Sequence, residues 1–161
     1  MSTSIRDDLH VRLAEAGDVG SLVDLMHEFY AESGYSLDRP WAASSFLSLL
    51  GDPSLGCCWL ACRGSEPVGH AVLTLRYTME HGGMGGYVDD LFVRPRFRRR
   101  GAARAMLAEL FAECRARGCR SVQVEAGRDN AAALRLYAEF GLVPHEDGRV
   151  LLVGPLGNAR P

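Results

Sequence analysis

The sequence contains no lysine: all 18 of its basic residues are arginine. That absence excludes phosphate-loop nucleotide hydrolysis, which requires Gly-Lys-Ser/Thr, together with Schiff-base chemistry and the kinase phosphate lysine. Any anion must be met by arginine, main-chain N–H groups or a helix terminus. A CxxC pair is also missing. The five cysteines (Cys57, Cys58, Cys62, Cys114 and Cys119) are odd in number and lie in apolar or helical segments, which fits neither a disulfide framework nor a zinc site. Buried, reduced thiols in a cytoplasmic protein, with no metal, are the plain reading. No apolar run approaches the length of a membrane span. Met1 to Leu13 carries charges throughout and lacks the apolar core of a secretory signal. A net charge of −2 and a pI of 6.2 speak against non-specific binding of nucleic acid or anionic membrane.

What is present is an ordinary globular chain of 161 residues, 47% hydrophobic and 24% charged, without repeats, low-complexity linkers or composition breaks. It reads as a single domain over residues 1–161. His10–Leu13 alternates and predicts a first strand. Asp18 is expected to cap an amphipathic helix running to about Glu32, with Leu22, Leu25, Met26 and Phe29 at helical spacing. Ser33–Pro40 reads as a loop, and a second helix carries Trp41, Phe46, Leu49 and Leu50. Cys57–Cys62 and Pro67–Leu75 predict two strands around a turn at Arg63–Glu66. Gly82–Gly86 reads as a flexible connection into a strand at Tyr87–Val93, closed by Pro95. A long helix over Arg99–Gly118, a strand at Ser121–Ala126 and a helix at Asn130–Phe140 capped by Gly141 follow. One or two strands, Leu142–Pro144 and Arg149–Pro155, finish the chain. This order predicts an α/β or α+β fold: a mixed, mostly antiparallel sheet flanked by about four helices.

Arg94–Arg104 holds six arginines in eleven residues and passes directly from a strand into a helix. Arg98, Arg99 and Arg100 crowd the start of that helix, where the dipole disfavours positive charge by about 0.3–1 kcal/mol each. A bound polyanion reconciles the conflict, since unpaired N–H groups, the dipole and guanidinium forks all favour phosphate oxygens. Gly101, Ala102 and Ala103 let the backbone approach such a ligand. The charge pattern alone equally fits a solvated basic helix start, or arginines paired with acids such as Asp90 or Glu109.

Arg98-Arg99-Arg100-Gly101-Ala102-Ala103, following Leu91-Phe92-Val93-Arg94-Pro95, resembles the Arg-x-x-Gly-x-Ala acetyl-CoA signature of the GCN5-related N-acetyltransferase (GNAT) family. Asn130 to Tyr137, running on to Gly141-Leu142, resembles the same family's second motif, in the expected order and separation. The resemblance implies a splayed sheet with the pantetheine arm of acetyl-CoA between two strands. It places the main chain of Leu91, Phe92 and Val93 on the pantetheine amides and the N–H groups of Arg98, Arg99, Arg100, Gly101, Ala102 and Ala103 on the pyrophosphate. Asn130 and Ala133 would line the far side of the arm.

Acyl transfer to an amine requires removal of a proton from an alkylammonium of pKa near 10.4, and delivery of one to the departing thiolate. Tyr137, protonated at neutral pH, is the donor candidate. It shares a helix side with Asn130, although the pattern also suits a core aromatic beside Ala133, Leu136 and Phe140. The family motif assigns this position the thiolate-protonating role. Asn130 equally suits a helix N-cap. Asp89 and Asp90 lie mid-strand, where acids are disfavoured, and alternation sends their side chains to opposite faces. Resemblance to polyamine-type members, which carry Tyr-x-acid-acid at this point, favours Asp89 as base. Glu125 is its rival, twelve residues before the tyrosine as in some protein-N-terminal acetyltransferases. His27 and His70 read as structural.

The acceptor pocket implied by the family would draw on Glu28, Tyr30, Glu32, Tyr35, Asp38 and Trp41. Carboxylates and aromatics suit a small-molecule or peptide amine, although Glu28 and Glu32 equally suit a solvated helix face. The expected activity is transfer of acetyl from acetyl-CoA to a primary amine by direct attack in a ternary complex. The alternative is a catalytically silent acyl-CoA-binding or sensor domain. A nucleic-acid module using Arg94–Arg104 is disfavoured by the acidic balance. The resemblance permits a homodimer through Arg149 to Leu156.

Overall fold

The computed structural model describes residues 8–145 and 148–156. They fall into two compact units, one running through Gly127 and the other starting at Arg128. The first unit carries a five-stranded sheet of β1 (Leu9–Leu13), β2 (Gly56–Arg63), β3 (Glu66–Thr78), β4 (Gly83–Val93) and β5 (Ser121–Val124), in that spatial order. Neighbours from β1 to β4 are antiparallel, and β5 joins β4 in parallel. A parallel neighbour demands a long crossover, which α3 (Ala102–Ala116) supplies. Helices α1 (Val19–Glu32) and α2 (Arg39–Gly51) fill the connection between β1 and β2. This is the mixed, mostly antiparallel α+β architecture that the element order predicts.

The local causes are readable. The Asp18 side chain does not cap α1 as expected, because Arg12 grips it with two hydrogen bonds of 2.8 Å and it accepts from the Glu15 N–H at 2.8 Å, which fixes the entry to the helix instead. Asp38 caps α2 by accepting from Trp41 N–H at 3.0 Å, with Pro40 in the first turn where its missing N–H costs nothing. Leu22, Leu25 and Met26 of α1 and Phe46 of α2 bury against Cys58, Leu60, Val72 and Phe92 from one face of the sheet. Alternation sends Ala71, Leu73 and Val93 to the other face, where α3 packs with Met106, Leu107 and Leu110 buried.

Three expectations change. Gly83–Gly86 is not a loose connection but the first half of β4, fully paired to β3. A Cβ at Gly86 would stand 2.6 Å from the Cys114 sulfur, so the glycine is there for close approach of α3 to the strand. The long helix begins at Ala102 rather than Arg99, because Arg99 (φ 61°) and Gly101 (φ 87°) adopt left-handed backbone. The strands foreseen at Leu142–Pro144 and Arg149–Pro155 do not form among the described residues. Val150, Leu151, Leu152 and Val153 are all exposed there. Apolar content supplied a strand-like pattern but no pairing partner.

In the second unit α4 (Ala131–Glu139) is capped by Asn130, whose side chain accepts from Ala133 N–H at 3.2 Å. Gly141 (φ 80°) ends it as foreseen, with Leu142 N–H returning to the Tyr137 carbonyl at 3.0 Å.

Candidate active site

The site grows from a fault in β4. Val72 of β3 faces Asp90, but the next β3 residue, Leu73, faces Val88, so Asp89 is an extra residue in the ladder. A bulge of this kind bends the strand and interrupts its alternation. The parallel ladder to β5 ends at the same point, with Val88 opposite Val124. Beyond it, β4 pairs only with β3 among the described residues. Arg94 N–H donates to Val68 of β3 at 2.8 Å. Counting back in twos, the main chain of Phe92 also turns to β3, while Leu91 and Val93 turn to the open edge. Val93 C=O accordingly accepts from Arg98 Nε at 2.7 Å instead of from a strand.

The bulge also interrupts the alternation expected to send the two aspartates to opposite faces. Asp89 and Asp90 act electrostatically on one another and both act on Tyr30 of α1. Partial burial comes first, then the charges of Asp90 and Glu125, in raising the Asp89 carboxyl above the usual carboxylate value, although the residue keeps contact with water. Asp89 and Glu125 are therefore neighbours, not alternatives in separate places. Burial, then the nearby carboxylate of Glu125, lifts the Tyr87 hydroxyl well above its ordinary value. Asp90 instead meets His70, whose Nε2 lies 3.4 Å from Oδ2. The sequence offered one clue to that pair, an acid and a histidine in apolar strands. Their partnership depends on a register no periodicity reveals.

Past β4, the arginines divide into two groups. Arg94 forks onto Glu28 with hydrogen bonds of 2.8 to 3.1 Å and donates to Pro67 C=O at 2.8 Å. Arg96 pairs with Glu66, and Arg98 reaches both oxygens of Glu32 at 2.7 and 2.8 Å. These three tie the segment to α1 and β3, and their partners are not Asp90 or Glu109. Glu28 and Glu32, candidates for the acceptor pocket, are engaged by Arg94 and Arg98. Arg99 and Arg100 are exposed and have no ion-pair partner among the described residues. Gly101 has no side chain to cap α3, and the first intrahelical bond runs from Ala105 N–H to Gly101 C=O. The N–H groups of Ala102 and Ala103 thus lie in the helix turn that has no intrahelical acceptors. A Cβ on Gly101 would meet nothing within 4 Å. Open space, helix N–H groups, the positive dipole end and two unpaired guanidinium groups make a cradle suited to phosphate oxygens.

Asn130, Ala133 and Tyr137 belong to the second unit. The Asn130 side chain is occupied as the α4 cap, and Ala133 N–H is its donor. Tyr137 is 7% exposed, and burial raises its hydroxyl above the ordinary value. Among the described residues no group of three or more His, Cys, Asp or Glu is arranged to hold a metal. No described helix is long and apolar enough to cross a membrane.

A family model described as the acetyltransferase (GNAT) family matches residues 21–142. Integron cassette protein HFX_CASS3, from the mobile metagenome of Cole Harbour Salt Marsh, is 42% identical. The match covers 92% of this chain and 91% of that one, with a TM-score of 0.81. A Trypanosoma brucei acetyltransferase shares the fold at 23% identity and TM-score 0.71, over 91% of this chain and 100% of that one. A predicted acetyltransferase with acetyl-CoA from Clostridium acetobutylicum does so at 19% identity and TM-score 0.74, over 89% and 96%. A search of curated proteins found no match. The matched span takes in both the cradle at Arg98–Ala103 and the Asn130–Tyr137 motif, and the chain belongs to the GNAT acetyltransferase family.

Proposed function

We propose that this chain transfers the acetyl group of acetyl-CoA to a primary amine by direct attack within a ternary complex, with residues 1–161 acting as one N-acetyltransferase domain. The observation that carries the reading is the open edge of β4 leading straight into the uncapped turn at Arg98–Ala103. The outward main-chain groups of Leu91 and the Val93 N–H suit the pantetheine amides. The N–H groups of Arg99 to Ala103, with the side chains of Arg99 and Arg100, suit the pyrophosphate, whereas the Arg98 N–H is taken by the Pro95 carbonyl at 3.2 Å. Asn130 and Ala133 would line the far side of the arm, as the family motif has it. Phe92 contributes its buried ring to the core rather than a free main-chain group. The Clostridium acetobutylicum neighbour with acetyl-CoA supports the choice of donor.

Bound acetyl-CoA supplies a thioester carbonyl as the acyl source. The chain's own groups then handle protons and charge. Asp89 accepts the proton of the incoming ammonium, directly or through water; its raised pKa brings it closer to the working pH of a general base. Glu125 is the second carboxylate, acting on both Asp89 and Tyr87. The Leu91 N–H is placed to donate to a carbonyl oxygen as charge builds there. Tyr137, assigned by its place in the Asn130 motif, delivers a proton to the departing sulfur.

The test is an acceptor screen with acetyl-CoA, reading CoA release against a panel of amines. Tyr137→Phe should lower kcat by about 100-fold with little change in KM for acetyl-CoA. CoA binding without acetylation of any amine, and no effect of Tyr137→Phe, would show a silent acyl-CoA-binding domain instead. Asp89→Asn should abolish the acid limb of the pH profile. Loss in Glu125→Gln alone would transfer the base role to Glu125.

A further inference from the structure

The mechanism above makes no use of the most deeply buried polar side chain in the described core. His70 is 0% exposed, and the rings of Phe29, Phe46 and Phe92 surround it at centroid distances of 6.4, 6.3 and 6.2 Å. Its Nδ1 finds no hydrogen-bond partner among the described residues, while Nε2 lies 3.4 Å from Asp90 Oδ2. An imidazole in that position costs free energy that a leucine would not. With no partner near Nδ1, an N–H on Nε2 is the one that can donate, and Asp90 Oδ2 is its acceptor. The Asp90 side chain is itself only 12% exposed, and the bulge sets it next to Asp89.

We propose that His70 is a positioning residue that holds the Asp90 side chain in place beside Asp89. The Nε2 contact at 3.4 Å, inside a ring of three phenylalanines, fixes where the Asp90 carboxyl lies. The fixed negative charge of Asp90 in turn opposes ionisation of Asp89, which keeps Asp89 a stronger proton acceptor. His70 therefore sets the basicity of a group it does not touch. Other charged or titratable groups facing the pair are Tyr30 from α1, Cys58 from β2, Tyr87 from β4 and Glu125 beyond β5. Arg98 lies over the Phe92 ring, and α2 contributes the uncharged Phe46. Among the described residues, the side-chain hydrogen-bond partner of Asp90 is His70.

The role of Asp89 as base rests on the function proposed above, so the experiment reads two quantities. One is the titration midpoint of the Asp89 side-chain carboxyl by carbon-13 NMR in the protein without substrate. The other is the acid limb of kcat/KM for the amine. Glutamine can place an N–H where Nε2 stands, whereas asparagine reaches only the Nδ1 position. His70→Gln should leave the Asp89 midpoint near that of wild type. His70→Asn should lower it by about one pH unit, as the Asp90 carboxyl leaves its place beside Asp89 and its charge acts there less. Asp90→Asn should reproduce that drop, and adding His70→Asn to it should change nothing more. An unchanged Asp89 midpoint in His70→Asn, or additive drops in the double variant, would overturn the proposal. If the midpoint falls while the kinetic limb stays put, the His70–Asp90 couple stands and Asp89 is not the base. Because Gln and Asn are close in size, the comparison survives even where His70→Ala does not fold.

Discussion

At Asp89, stability and proposed activity pull in opposite directions. Its carboxyl titrates above 3.8 in the folded chain, so the folded state holds the proton more tightly than the unfolded state does. Stability must then fall as pH rises from the unfolded value through the folded one, and the loss persists above it. Asp89→Asn removes that loss. Its melting temperature should exceed that of wild type at pH 7, and the gap should close below pH 3.8, even as acetylation is lost. A variant no more stable than wild type at neutral pH would mean the burial and neighbouring charges do not act as described. Arg99 offers a second separation of roles. Its left-handed backbone costs about 1–2 kcal/mol in any residue but glycine. Arg99→Ala and Arg99→Gly should both raise KM for acetyl-CoA, by roughly fivefold for one lost exposed charge-assisted contact. The glycine variant should be the more stable by about 1 kcal/mol in chemical denaturation. Equal KM values in all three would remove Arg99 from the cradle.

Among the elements, β4 sets the design, since one strand joins the core, the aspartates and the cradle. Its N-terminal half depends on glycine. Gly86→Ala would press a methyl against the Cys114 sulfur and, at 3.0 Å, against Leu73 Cδ1, which should cost roughly 1–3 kcal/mol by overpacking. Cys114→Ala in the same chain should recover part of that loss, a coupling that urea denaturation of the four forms would reveal. These same glycines explain a misreading of the sequence: a Gly-Gly-Met-Gly-Gly run looks like a connector until the helix that needs its missing side chains is in place. The cradle was legible because its message is local, an arginine run breaking the rule for a helix start. The bulge was not, since Asp89 and Asp90 look like consecutive residues of a regular strand, and only the pairing with Val72 and Leu73 reveals the extra residue. The C-terminal strands failed for the opposite reason: a pattern can announce an apolar segment without naming what it pairs with.

For the molecule as a whole, a net charge of −2 coexists with a dense arginine segment. Attraction of an anionic donor is therefore local, and salt should weaken it. KM for acetyl-CoA should rise several-fold between 0.05 and 0.5 M salt, since the Debye length shrinks to a few Å over that range. A salt-independent KM would argue that hydrogen-bond geometry, not charge, holds the donor. The fold itself followed from element order, because a long helix between two strands forces one parallel pair into a sheet of hairpins. That single parallel step also ends early, and the unpaired edge it leaves became the proposed seat of chemistry.

The three clamps from Arg94, Arg96 and Arg98 to Glu28, Glu66 and Glu32 could, on charge alone, have been built with lysine. Guanidinium groups remain protonated at any pH the fold survives and are poor nucleophiles, whereas lysine amines are the kind of group an acetyl thioester modifies. A lysine clamp would lose its charge each time it was acetylated, and the segment holding the donor would loosen with use. An all-arginine chain offers its own reagent no side-chain amine to attack. After prolonged incubation with acetyl-CoA, peptide mass mapping should find no acetyl group on any side-chain nitrogen, leaving the acceptor as the amine consumed.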